Sequence, residues 1–160
     1  MIVILPYSIK QAIDAWLKKF PADQRQSAVL YALKIVQEEN GGWLTEGLMN
    51  AVAAYLGMPK IAVYEVASFY SMFELKPVGK HKISVCNNIS CMLQGSDNVV
   101  EHFQKKLGIG CGETTEDGLF TLKVVECLAA CGGAPAIQID KNYYENITPE
   151  KIDSILAELE

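Results

Sequence analysis

Residues 119–135 read Leu119-Phe-Thr-Leu-Lys-Val-Val-Glu-Cys127-Leu-Ala-Ala-Cys131-Gly-Gly-Ala-Pro135. Apolar residues alternate through the first half, with Phe120, Leu122 and Val124 on one face, which predicts a strand over Leu119–Glu126. The strand runs out at Cys127, and a second cysteine follows after three residues. Upstream, Lys82–Val85 reads as a short strand that runs into Cys86, and Cys91 follows after four residues. Each pair of cysteines therefore begins at the C-terminal end of a strand. If those strands are parallel neighbours, both loops leave the sheet at the same end and four thiols converge.

Working outward, the segment between the two strands carries Val99, Val100, Phe103 and Leu107 at helical spacing, capped by Ser96 or Asp97. Gly108–Gly118 is a loop rich in glycine, threonine and acids. Ala136–Asp140 reads as a third strand, Lys141-Asn142 as a turn and Tyr143-Tyr144 as the start of a fourth strand. Thr148-Pro149-Glu150 caps a last helix with Ile152, Ile155, Leu156 and Leu159 facing inward. The half before Lys76–Lys80 has helical period throughout. Ser8-Ile9-Lys10-Gln11 reads as a capping box leading into Ile9, Ile13, Trp16 and Phe20. Pro21-Ala22-Asp23 opens a second helix with Val29, Ala32, Leu33 and Val36 buried, stopped by Asn40-Gly41-Gly42. Thr45 caps a third helix (Leu48, Val52, Tyr55, Leu56). Pro59 starts a fourth, with Val63, Val66, Ala67 and Tyr70 buried.

Composition bounds the function. The chain has 160 residues, half of them apolar and 21% charged, with a net charge of −5. That balance is globular rather than disordered, and the acidity argues against a free-standing nucleic-acid binder. Six basic and seven acidic side chains fall within residues 1–75, eight and twelve within 76–160. No apolar run reaches the roughly 18 residues of a membrane span. The opening Met1-Ile-Val-Ile-Leu-Pro6 is short for a signal peptide and has no basic residues before it, so an intracellular protein is expected.

Five cysteines, all in the second half, make a poor disulfide framework. A core of two irons and two sulfides surrounded by four thiolates matches two pairs on converging loops, each iron taking two cysteines and two sulfides. Asn87, Asn88, Ser90, Gly132 and Gly133 suit its need for backbone N–H donors and close approach. Structural zinc sites mostly place two residues between the ligands of at least one pair, and neither pair does so here. A thiol–disulfide enzyme would carry Cys-x-x-Cys at a helix start, which is absent. Four unrelated buried cysteines would be the bland alternative. Cys111 lies outside both pairs and reads as a passenger; His81 and His102 read as isolated surface or loop residues. Glu126, next to Cys127, is expected to disfavour an added electron by its charge. Gly108-Ile-Gly110-Cys-Gly112 follows a helix, not a strand, so it is no dinucleotide fingerprint. Leu48–Phe69, through its stretch Ala51–Val63, resembles a helix-turn-helix. The candidate recognition helix, however, offers only Lys60, Tyr64, Glu65 and Ser68 as polar groups, so a structural hairpin is preferred. A regulator with a metal or redox sensor site is the rival class.

Several motifs then fall in order. Asp117-Gly-Leu-Phe120-Thr121 followed by Cys127 to Pro135, Val85-Cys86 with Cys91, Gly112-Glu-Thr-Thr-Glu-Asp-Gly118 and Tyr64-Glu-Val-Ala-Ser-Phe-Tyr-Ser-Met-Phe73 together resemble the NuoE-type subunits of respiratory complex I. Two positions depart from the pattern: Ala129 stands where that family usually has glycine, and Cys111 is not required by it. The resemblance implies an α/β thioredoxin-like domain, a mixed sheet flanked by helices, preceded by an all-α helical bundle. The boundary is expected between 1–76 and 77–160. It further implies one 2Fe–2S cluster on Cys86, Cys91, Cys127 and Cys131, and a cis bond before Pro135. FMN and NADH would sit on a NuoF-type flavoprotein partner, not on this chain, within a peripheral arm held at the cytoplasmic face of the inner membrane. No nucleic acid and no membrane insertion are expected. The chain would work as a subunit of NADH-quinone oxidoreductase and catalyse nothing alone; Trp43 and the Tyr64–Phe73 segment are expected to supply docking surface. An equivalent diaphorase subunit of an NAD-linked hydrogenase or formate dehydrogenase, and a lone ferredoxin, are the alternatives within the same chemistry.

Overall fold

Ile83 and Val85 alternate with Ser84 in a strand that has neighbours on both sides, and all three are buried. This strand, β1 (His81–Cys86), organises the C-terminal half of the computed structural model, which describes residues 3–159. On one side it pairs in parallel with β2 (Phe120–Val125), in a register that sets Cys86 opposite Val125. On the other it pairs antiparallel with β3 (Ile137–Ile139), which pairs in turn with β4 (Asn142–Tyr144). The sheet order is β2-β1-β3-β4. A parallel pair needs a crossover, and the chain supplies one in α5 (Ile89–Leu93) and α6 (Ser96–Leu107). Helix α6 packs on β1, β2 and α7 (Pro149–Leu159). The resulting core gathers Ile83, Val99, Phe103, Leu122, Ile137 and Ile152 among others. This is a mixed sheet flanked by helices of thioredoxin-like type, as the resemblance implies.

The chain divides into two units, Met1–Pro77 and Val78–Glu160. The first is helical: α1 (Tyr7–Leu17), α2 (Val29–Glu39), α3 (Glu46–Leu56) and α4 (Lys60–Phe69) close around Ile13, Leu33, Val52 and Val63. Thr45 caps α3 as expected, its Oγ1 accepting from the Leu48 N–H at 3.2 Å, and Gly57 ends the helix at φ 71°. Trp16 stacks on Tyr31 with centroids 4.1 Å apart, and the Lys19 ammonium sits 3.4 Å from the Trp16 ring centroid.

Several local readings are corrected. Ser8 is not a cap: Pro6, at φ −54° and ψ 152°, takes the N-cap place and Ser8 lies inside α1. The second helix does not open at Pro21-Ala22-Asp23, because the polar stretch that follows has nothing to bury. Instead a 3₁₀ turn, Arg25–Ala28, leads into α2 at Val29. Tyr70 lies beyond α4 and is exposed rather than buried. Gly95, at φ 89°, takes the N-cap of α6, which pushes Ser96 into the first helical position, fully buried. Buried Gln37 has a role that its sequence neighbours do not announce. Its amide donates to the Met72 carbonyl (3.1 Å) and accepts from the Glu74 N–H (2.7 Å), clasping the chain after α4.

Both histidines are held by carboxylates. His81 Nδ1 lies 2.8 Å from Asp140 Oδ2, and His102 Nε2 lies 2.8 Å from Asp153 Oδ1, which Lys106 also approaches at 3.1 Å. The His102 and Lys106 partners hold the Asp153 carboxyl below its ordinary value. A group with a depressed folded-state pKa stabilises above its unfolded value near pH 4 and loses that contribution as pH falls through the folded value. The stability difference between wild type and Asp153→Asn, followed by urea unfolding, should therefore be present above the ordinary carboxylate range and fade as the pH falls through the lower folded-state value; a difference that persists unchanged in strong acid contradicts the pairing.

Candidate functional site

The parallel pairing of β1 and β2 carries both cysteine loops to one end of the sheet. Cys86 closes β1, and its Sγ lies 3.8 Å from the Glu126 carbonyl at the end of β2, 40 positions away in sequence. Asn88 caps the short helix α5, its Oδ1 accepting from the Ile89 N–H at 2.9 Å. That turn brings Cys91 back under the loop, where Cys86 and Cys91 are both buried. On the other loop Cys127 and Cys131 are exposed, and Cys131 begins a 3₁₀ turn, Cys131–Gly133. The Ala134–Pro135 bond is cis, and the Cys86 N–H donates to the Ala136 carbonyl at 3.2 Å.

The thiols interact across the loops. Burial pushes the Cys86 thiol up, but hydrogen bonds from the Asn88 and Leu128 backbone and from the Cys91 and Cys127 thiols outweigh it, and Cys86 lies below its ordinary value. Cys91 is raised, first by burial, then by its hydrogen bond to Cys86 and by the charges of Cys86 and Cys131. Of the pair Cys86 and Cys91, Cys86 is the sulfur that its donors hold toward the thiolate. Among the described residues, no group of three or more His, Cys, Asp or Glu side chains surrounds one ion-sized position.

The expected donor set has the chemistry that a 2Fe–2S cluster takes. It consists of four sulfurs, two buried and two open, with backbone N–H groups aimed at the sulfur of Cys86 and, from Ala129 at 3.3 Å, of Cys127. A Cβ on Gly132 would meet nothing, so the loop leaves open space there. Gly133 is a different case: a Cβ would collide with the Glu145 side chain, so this glycine is accounted for by Glu145, not by clearance for a cluster. The Glu126 side chain is exposed, and the part of Glu126 that faces Cys86 is its carbonyl. Cys111 is exposed, with Gln104 Nε2 at 3.7 Å from its sulfur, away from both pairs in sequence. Helix α5, which no periodicity announces, is the element that places Cys91.

Ala129 has φ 56°. A side chain in this region costs about 1–2 kcal/mol, partly offset by the greater freedom of an unfolded glycine. Ala129→Gly should therefore stabilise the cluster-free protein by about 0.5–1 kcal/mol in chemical denaturation. A loss of stability would mean that the methyl makes a compensating contact.

Residues 13–160 match the thioredoxin-like 2Fe-2S ferredoxin family. The E subunit of the NADH-quinone oxidoreductase of Rickettsia felis is 49% identical over 142 residues, 89% of this chain and 85% of that protein. Its counterpart in Rhizobium meliloti, the E subunit numbered 2, is 40% identical over 149 residues, 93% and 87% of the two chains. The chain belongs to the NuoE-type subunits of NADH-quinone oxidoreductase, within that ferredoxin family. An NAD+-reducing NiFe-hydrogenase shares the fold, with a TM-score of 0.69 and 18% identity over 79% of this chain; the chain spans 22% of that hydrogenase chain. Among the described residues no helix is long and apolar enough to cross a membrane.

Proposed function

We propose that this chain is the electron-transfer subunit of an NADH-quinone oxidoreductase. In this reading residues 1–76 form a helical domain, and residues 77–160 a cluster-binding domain in which Cys86, Cys91, Cys127 and Cys131 hold one 2Fe–2S cluster. When bound, that group supplies one-electron chemistry to the FMN of a partner flavoprotein, which also binds NADH. The observation that carries the reading is the parallel β1–β2 pair, which brings the two cysteine loops together so that Cys86 meets both Cys91 and Cys127. A diiron core asks for two thiolates at each iron, whereas a tetrahedral zinc site asks for four ligands around one ion.

The chain's own part is to present sulfurs, aim N–H groups at them and exclude water from one side. Backbone donors of Asn88, Leu128 and Ala129 offset negative charge on Cys86 and Cys127. Burial of Cys86 and Cys91 keeps solvent from half of the site, while the Cys127–Cys131 loop stays open to an electron partner. The helical unit exposes Ile61, Phe69 and Met72, apolar surface of the kind a protein–protein contact covers. Trp43 and Tyr64 are only half-exposed and Phe73 is buried, so the docking role expected of the whole Tyr64–Phe73 segment narrows to Phe69, Tyr70 and Met72. The deciding experiment is iron and acid-labile sulfide analysis with EPR after reduction. Two irons and two sulfides per chain support the reading; zinc without sulfide ends it.

A further inference from the structure

Gly133 is buried, and a Cβ built on it would fall inside the Glu145 side chain, 2.5 Å from its Cβ and 2.6 Å from its Cδ. The contact is built rather than incidental. The Asn146 N–H donates to the Gly133 carbonyl at 2.7 Å, and the Ile147 N–H to the Pro135 carbonyl at 3.1 Å, so the segment after β4 runs laced along Gly133–Pro135. Lys151 Nζ fixes the same segment from outside by donating to the carbonyls of Glu145 and Asn146, at 3.3 and 2.8 Å. The Glu145 carboxylate therefore rests on the third residue of the turn that Cys131 begins. A 3₁₀ turn rises only about 2 Å per residue, which keeps this carboxylate within about one Debye length of Cys131 at physiological salt. Its outer side lines an open cleft of about 500 Å³ with Tyr143, Ile147 and Lys151, so ions reach it.

We propose that Glu145 is an electrostatic element of the redox centre, lowering the reduction potential of the group held at Cys131. The proposal rests on the ligand assignment above. In the exchange concerned the bound group would take one electron from the reduced flavin of the partner and later return one to the oxidised flavin. No bond to the protein forms or breaks, and the negative charge of the core and its thiolates grows by one. A fixed negative charge nearby raises the energy of the more negative state more than that of the less negative one. Lys151 opposes this in part, and it stays in place when Glu145 is neutralised.

The test is an EPR-monitored redox titration of the full chain carrying its cluster, wild type against Glu145→Gln, at low and at physiological salt. Glutamine keeps the shape that packs on Gly133. The expected result is an upward shift of the midpoint that shrinks as salt is added, with iron, sulfide and the EPR line shape unchanged; Glu145→Ala should shift in the same direction. An unchanged or lower midpoint, a shift indifferent to salt, or loss of the cluster from Glu145→Gln would each overturn the proposal. Absence of iron and sulfide from the wild type would instead overturn the ligand assignment, which keeps the two failures apart.

Discussion

Replacing any one of Cys86, Cys91, Cys127 or Cys131 with alanine should abolish the iron–sulfur spectrum of the purified chain. Under the proposed assignment each iron has two protein ligands, and losing one leaves an open position that water enters. The structure adds a distinction between the pairs that spacing alone does not make. Cys86 and Cys91 are buried, 2% and 1% exposed, so alanine there also leaves a small cavity and should cost the cluster-free protein about 1–2 kcal/mol. Cys127 and Cys131 are exposed, and their alanine variants should match the cluster-free wild type within about 0.5 kcal/mol. Cys111→Ala should keep the full spectrum. Iron and sulfide content, visible absorption and denaturant unfolding of the stripped proteins measure all of this. A wild-type spectrum in any of the four variants, or its loss in Cys111→Ala, sinks the assignment.

The largest effect expected on the scaffold itself is at Phe103. This ring is fully buried on α6, in the core that α6 makes with β1, β2 and α7. Truncation to alanine removes its contacts and leaves a void that the sheet cannot close, at a cost of about 3–5 kcal/mol. A unit of about 80 residues holds only about 4–12 kcal/mol in total. Phe103→Ala should therefore leave the C-terminal unit marginal at 37 °C and deplete the cluster, although Phe103 belongs to neither cysteine loop. Thermal unfolding followed by circular dichroism, with iron content in parallel, checks it. A melting temperature within a few degrees of wild type would show that the core repacks around the gap.

Much of this arrangement is legible in the residues. Alternation in Leu119–Glu126 and the alternating Ile83 and Val85 of Lys82–Val85 locate two strands, and the cysteines stand where those strands end. Helices α6 and α7 are long enough for period 3.6 to show, with Val99, Phe103, Ile152 and Leu156 on their buried faces. Ala129, where the pattern usually has glycine, does have positive φ. Helix α5 is not legible, since five residues are too few for a periodicity and Asn88 caps it by a contact that many loop asparagines make. The roles of Gln37 and Glu145 are hidden for another reason: each depends on partners far away in sequence, Met72 and Glu74 for one and Gly133 for the other. The histidines illustrate the same limit, because nothing local announces Asp140 or Asp153 as partners.

The hydrogen bond from Cys86 to Ala136 has a bearing on how the protein matures. Cys86 ends the central strand, yet its amide is satisfied by a residue 50 positions later, and its sulfur faces Glu126 from the other flank. The half-site at Cys86 and Cys91 therefore has no fixed geometry until the crossover has docked and β3 has closed against β1. Under the proposed ligand assignment, binding at the sulfurs would therefore be coupled to completion of the sheet, and its free energy would consolidate the pairing of β3 with β1.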